Sequence, residues 1–173
     1  MTTISGQHRA PSARTGNILG ALALALTDEM RAHAEGLTSI RGEAPSALVS
    51  IGHEPGCSID FLSKALRLSH PGTVRLVDRL EGAGLIERRA ASDGRAVALH
   101  LTEAGSRRRR KLLAGRQNSL DRVLAALTPA QQEQLAALAG QLLKAQRGSD
   151  LQRAYTICRL CDDRACTDCP MEN

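Results

Sequence analysis

The stretch that decides the fold runs from Leu62 to Arg89 and reads LSKALRLSHPGTVRLVDRLEGAGLIERR. Its opening residues Leu62, Ala65 and Leu66 continue the helical spacing of Ile59, so a short helix is expected over Ile59 to Leu66 behind the cap Ser58. After Arg67 and Leu68, Ser69 is placed to cap a second helix with Pro71 in its first turn. Val74, Val77 and Leu80 are its expected buried stripe at i, i+3 and i+6. Gly82 and Gly84 stop that helix, and Leu85 to Arg89 then reads as a strand with Ile86 inward. Ser92, Asp93 and Gly94 supply a turn, and Ala96 to Leu101 a return strand with Val97 and Leu99 on one side. A helix pair followed at once by a hairpin is the order of a winged helix-turn-helix.

The flanks are helical. Residues 1–14 are polar, with Gly, Pro and two Arg, and are expected to be a disordered arm. A helix is expected from Thr15 to about Ala34, and another over Ser46 to Gly52, with Pro45 in its first turn. Pro55 and Gly56 break this one, and Cys57, in the turn before Ser58, reads as a small half-buried residue. Downstream, Thr102 caps a long helix reaching about Leu127, and Thr128 and Pro129 start a last one, Ala130 to Arg147, striped with Leu135, Leu138, Leu142 and Leu143. The chain has 173 residues, no Trp, one Phe and one Tyr, so its core must be built from aliphatic side chains, which suits packed helices and argues against a β-sandwich. The expected fold class is therefore mainly α with a small β-wing.

Charge points to the partner. The chain carries a formal +5, but Arg67 to Arg116 holds 12 Lys and Arg against 5 Asp and Glu, a local +7 against −2 for the remainder. A concentrated cationic face favours a polyanion, although the basic block Arg107 to Lys111 reads as readily as a solvated helix face. The apolar run Ile18 to Leu26 behind Arg9 and Arg14 faintly imitates a secretory signal, yet it continues unbroken into Thr27 to Arg31 as an amphipathic helix. No stretch approaches the roughly 20 apolar residues of a membrane span, so a cytoplasmic location is expected.

A second helix that enters the major groove by its N-terminal end needs short or hydrogen-bonding side chains there. Ser69, His70, Thr73 and Arg75 meet that demand, with Arg79 one turn on. Arg75 can bind guanine bidentately, whereas Ser69 and Thr73 suit phosphates or a thymine methyl. Arg88 and Arg89 make the wing basic, and Arg95 is the expected minor-groove residue, oriented by Asp93. Winged helices also serve as protein-interaction modules, against which the local charge argues.

Together with the Asp93-Gly94-Arg95 tip and the exit LTEAG at Leu101 to Gly105, this segment resembles the MarR family of winged-helix regulators, over roughly residues 15–147. The resemblance implies a homodimer whose first and last two helices intertwine through Ile18 to Leu26, Leu112 to Leu127 and Leu135 to Leu143, reading a near-palindromic operator. It divides the chain into an arm (1–14), a dimerisation helix and loop (15–44), the winged helix (45–101), dimerisation helices (102–147) and a Cys-rich tail (148–173). Where the family often carries two Arg in the wing, this tip has one, which lowers the minor-groove affinity expected.

The tail places Cys158, Cys161, Cys166 and Cys169 in the order C-x2-C-x4-C-x2-C, followed by Pro170. Each pair can aim two thiolates at one centre, as in Zn²⁺ sites and iron-sulfur clusters alike. The short middle spacer and the final Cys-Pro speak for a cluster, while zinc and metal-free thiols or disulfides stay open. Arg153, Arg159 and Arg164 would favour thiolates, and Asp162, Asp163 and Asp168 would oppose them. The expected function is a transcriptional regulator, read as a repressor, whose tail senses redox or metal state by changing how the subunits splay their recognition helices. A small-molecule-responsive regulator with a structural zinc tail is the alternative. An enzyme or electron carrier has little support, because neither a glycine-rich phosphate loop nor a carboxylate–His array is present.

Overall fold

In the computed structural model of the protein, residues 12–37, 40, 42–90, 97–166 and 168–171 are described. Among the described residues, seven helices and two strands follow one another as α1 (Ala13–Leu37), α2 (Ala44–His53), α3 (Ile59–Leu66), α4 (His70–Gly82), β1 (Ile86–Ala90), β2 (Val97–Leu101), α5 (Glu103–Leu124), α6 (Pro129–Arg147) and α7 (Leu151–Ile157). Helix α1 starts at Ala13, inside the expected arm, and α5 ends three residues short of Leu127.

The caps are local chemistry. The hydroxyls of Ser58, Ser69, Thr102 and Thr128 each accept the amide three residues on, which satisfies donors that the first helical turn leaves open. Thr128 and Gln131 complete a reciprocal capping box. Thr102 also donates to the carbonyl of Gly84 at 2.7 Å, tying the start of α5 to the end of α4. Only glycine fits at position 105, where a Cβ would lie 1.9 Å from the carbonyl oxygen of Leu85.

The core sits between α2, α3, α4, the hairpin and the first half of α5, where Leu48, Ile51, Leu62, Leu76, Leu80, Ile86 and Leu99 are fully or almost fully buried. Strands β1 and β2 pair antiparallel, with Ile86 opposite Leu101 and Arg88 opposite Leu99. Cys57 adds a third partner, bridging to Leu99 on the far edge of β2, and it is buried rather than half-buried. The stripe of α4 is Thr73, Leu76, Val77 and Leu80, so Val74 is only partly covered. On β2, Ala98 and Leu99 are buried while Val97 is exposed.

The flanking helices behave differently. Helix α1 packs against α5, so closely that a Cβ on Gly115 would overlap the imidazole of His33. Ile18, Leu19 and Leu24 of α1 are nonetheless half or more exposed. Helix α6 has no buried residue, and its Leu138 and Leu142 are 59% and 52% exposed. No described helix is long and apolar enough to cross a membrane.

Candidate nucleic-acid interface and thiol cluster

Helix α4 is held at a fixed angle by the sharp turn before it, in which Arg67 adopts a left-handed conformation at φ 55°. Its N-terminal turn is fixed by the Ser69 cap at 3.2 Å from the Gly72 amide. His70, Arg75 and Arg79 lie on the exposed side of the helix, together with Ser69. Thr73 does not join them. It is fully buried and its hydroxyl donates to the Ser69 carbonyl at 3.1 Å, so it braces the helix and cannot reach a base or phosphate.

The wing needs a second correction. Arg88 does not face outward as a phosphate contact, because its guanidinium donates to Asp78 at 2.6 Å and to Glu81, both on α4. The hydrogen bond to Asp78 and the two carboxylate charges hold it more firmly protonated than a free arginine. Arg88 is thus a strut that locks β1 to the helix, and the signal for it was the acidic pair Asp78 and Glu81 at helical spacing. Arg89 is exposed and pairs with its neighbour Glu87. Asp93 and Arg95 lie outside the described residues.

The tail folds back on the winged helix instead of extending away from α6. Tyr155 of α7 meets Phe61 of α3 edge to face, with ring centroids 4.8 Å apart. The carbonyl of Cys161 accepts from His53 Nε2 at 3.0 Å, and the Asp163 carboxylate accepts from Arg109 at 2.9 Å. Arg109 is 8% exposed, so one member of the expected solvated block is a core residue whose counter-ion comes from the tail. Burial works to raise the Asp163 pKa; the hydrogen bond from Arg109 and the charges of His53 and Arg109 more than offset it, leaving the carboxyl below its ordinary value. Met171 closes the end of the tail at 2% exposure.

All four tail cysteines line one cavity of about 450 Å³, beside His53 and Phe61. The Cys158 thiol is pushed up by its hydrogen bond with Cys161, by burial, and by the charges of Cys161 and Cys169. Cys161 is lowered to about 6 by the same hydrogen bond, helped by Arg116 against burial. Burial, with the neighbouring thiols, raises Cys166. All five cysteines are free thiols. Among the described residues, no three His, Cys, Asp or Glu side chains close on a single point as metal ligands. The donor set is four soft sulfurs gathered around one space.

The winged-helix part of the chain is similar to known proteins. The family model of the MarR family matches residues 36–96, the segment from the end of α1 to the wing. The protein has the MarR-type winged-helix fold. Its relatives include the transcriptional repressor MprA of Escherichia coli (strain K12), 35% identical over 100 residues that make up 56% of this chain and 57% of that protein. The chain thus spans a little over half the length of that curated relative. Among solved structures it resembles the YusO protein of Bacillus subtilis, with a TM-score of 0.64 and 25% identity over 78% of this chain and 99% of the other. A MarR family protein of Bacillus stearothermophilus gives a TM-score of 0.69 at 23% identity, over 79% and 99% of the two chains. The Mycobacterium tuberculosis MarR family protein RV2887, in complex with salicylic acid, gives 0.59 at 25% identity, over 78% and 99%.

Proposed function

We propose that the protein is a MarR-family transcriptional regulator, a cytoplasmic homodimer that represses by reading a near-palindromic operator with two copies of α4. The observation that carries this reading is the mounting of α4. Its apolar stripe and Thr73 are sunk into the core, Arg88 ties the wing to it, and His70, Arg75 and Arg79 are left on the open side. A rigid helix presenting donors at its N-terminal half is what base reading in the major groove requires. The exposed leucines of α1 and α6 support the dimer, since apolar faces of that kind are ordinarily covered by a partner.

The tail is the signal-receiving element in this proposal. Four thiols around one cavity suit a thiophilic centre, an iron-sulfur cluster in the first instance and zinc in the second. The alternative, a regulator answering to a small organic molecule with a purely structural tail, has the salicylic acid complex of RV2887 in its favour. Selection of duplexes from a random pool, on protein purified without oxygen and analysed for iron, sulfide and zinc, tests both parts. Enrichment of an inverted repeat is expected, and recovery of no preferred sequence would sink the regulator reading. Iron with sulfide would favour the cluster, and one zinc per chain the structural clasp.

A further inference from the structure

A cavity of about 340 Å³ opens at the base of the wing, between the end of α2 and the first turns of α5. Its charged lining is entirely cationic: Arg89 from β1, Arg109 and Arg110 from α5, and Arg164 from the loop between Cys161 and Cys166, with His100 and Ser106 beside them. Glu87 and Asp163 answer Arg89 and Arg109. Among the described residues, the guanidinium groups of Arg110 and Arg164 make no ion pair, although the Arg164 backbone amide donates to the Asp162 carboxylate at 3.1 Å, and both residues are exposed. Arg109 is nine-tenths buried, with its guanidinium on Asp163 and its Nε packed against Gly52. The remaining wall is apolar, from Ile51, Pro55 and Leu101, which strengthens any charge interaction inside.

We infer that this cavity is a phosphate-binding site and that the tail completes it by supplying Arg164. Several arginines around one space suit the oxygens of a phosphate, since a guanidinium can donate two parallel hydrogen bonds. The Asp163 carboxylate that neutralises Arg109 stands next to Arg164 in the chain, so the contact that docks the tail also sets Arg164 in the wall. Undocking the tail removes one cation from the site. Two sources carry the right chemistry: the DNA backbone flanking the wing, for which the inference rests on the DNA-binding reading, and a free phosphate compound, for which it does not.

The full-length protein and its Arg164→Ala, Arg110→Ala and Arg153→Ala variants distinguish them, Arg153 being a tail cation of α7 that does not line the cavity. Duplex binding is followed by fluorescence anisotropy between about 50 and 200 mM salt, and thermal unfolding with pyrophosphate or with chloride at equal ionic strength. For a backbone phosphate, Arg164→Ala and Arg110→Ala each weaken DNA binding by about tenfold and reduce the salt slope by about 1, while Arg153→Ala does neither. For a free phosphate compound, pyrophosphate raises the unfolding temperature of the wild type and of Arg153→Ala but not of Arg164→Ala, and DNA binding is unchanged. If Arg164→Ala and Arg110→Ala match the wild type in both assays, the site does not exist. Wild-type protein that binds no duplex at low salt would overturn the DNA reading separately, leaving the pyrophosphate arm to decide this one.

Discussion

Replacing Asp163 by Ala should destabilise the winged helix from a distance of 54 residues in sequence, because it strips the counter-ion from a buried arginine. Breaking a fully buried pair by removing one partner costs about 3–5 kcal/mol. Here the Arg109 side chain is 9% exposed but Asp163 is 49% exposed, so water already screens half of the pair. Discounting for that screening leaves about 2 kcal/mol. For a chain of this size that corresponds to a fall of roughly 4–8 °C in Tm. Urea unfolding gives the same quantity as a shift in midpoint, and a double-mutant cycle isolates the pair. Arg109→Met alone should cost about as much as Asp163→Ala, and the double variant should recover most of the loss, since neither charge is then left buried and unpaired. The sign with pH follows from the depressed Asp163 pKa. The contribution is fully present above the unfolded carboxylate value of about 4 and is lost as pH falls through the folded value. A coupling below about 0.5 kcal/mol in the cycle would refute the claim that the tail and the winged helix form one unit.

Other outcomes follow from the same geometry. Arg88→Ala should release β1 from α4 at a cost of about 1 kcal/mol, visible as faster amide exchange in both strands, with weaker operator binding although no contact residue is changed. Cys57, raised to about 12 by burial and by Glu54, should react with iodoacetamide far more slowly than Cys161, which is lowered to about 6. Because its folded pKa lies above the unfolded one, Cys57 should also make stability fall as pH rises past about 9, and Cys57→Ala should remove that component of the urea-midpoint drift. On the homodimer reading proposed above, Leu138→Arg together with Leu142→Arg should yield monomers in sedimentation equilibrium and weaken operator binding.

What could be read from the sequence was what depends on neighbours along the chain. The bounds of α3 and the cap of α4 are legible because Ser58 and Ser69 act on amides three residues away. Val77 and Leu80 of the expected α4 stripe are buried, and Thr73 and Leu76 take the place expected for Val74. A valine at 74 looks more apolar than a threonine at 73, but the Thr73 hydroxyl is satisfied by Ser69 and so can be buried without penalty. Arg88 is harder to read, because the acidic pair Asp78 and Glu81 marks a place for a cation on α4 without saying which basic residue fills it. The docking of the tail was invisible. Its ties, His53 to the Cys161 backbone carbonyl and Arg109 to Asp163, span 108 and 54 residues, and neither His53 nor Arg109 carries a local mark of its partner. The cysteine spacing announced a cluster of thiols, and nothing in it said that the thiols would face α2 and α3 of the winged helix.

The most direct test of the account is equilibrium binding of the selected operator by wild type, Arg75→Ala and Thr73→Val, each against the operator and a scrambled duplex at one salt concentration. Arg75→Ala should lose about 1–3 kcal/mol on the operator and much less on the scrambled duplex, while Thr73→Val, whose side chain is buried, should discriminate the two duplexes as the wild type does. Equal losses for Arg75→Ala on both duplexes, or lost discrimination in Thr73→Val, would contradict the assignment of α4 as a helix that reads bases with its exposed face.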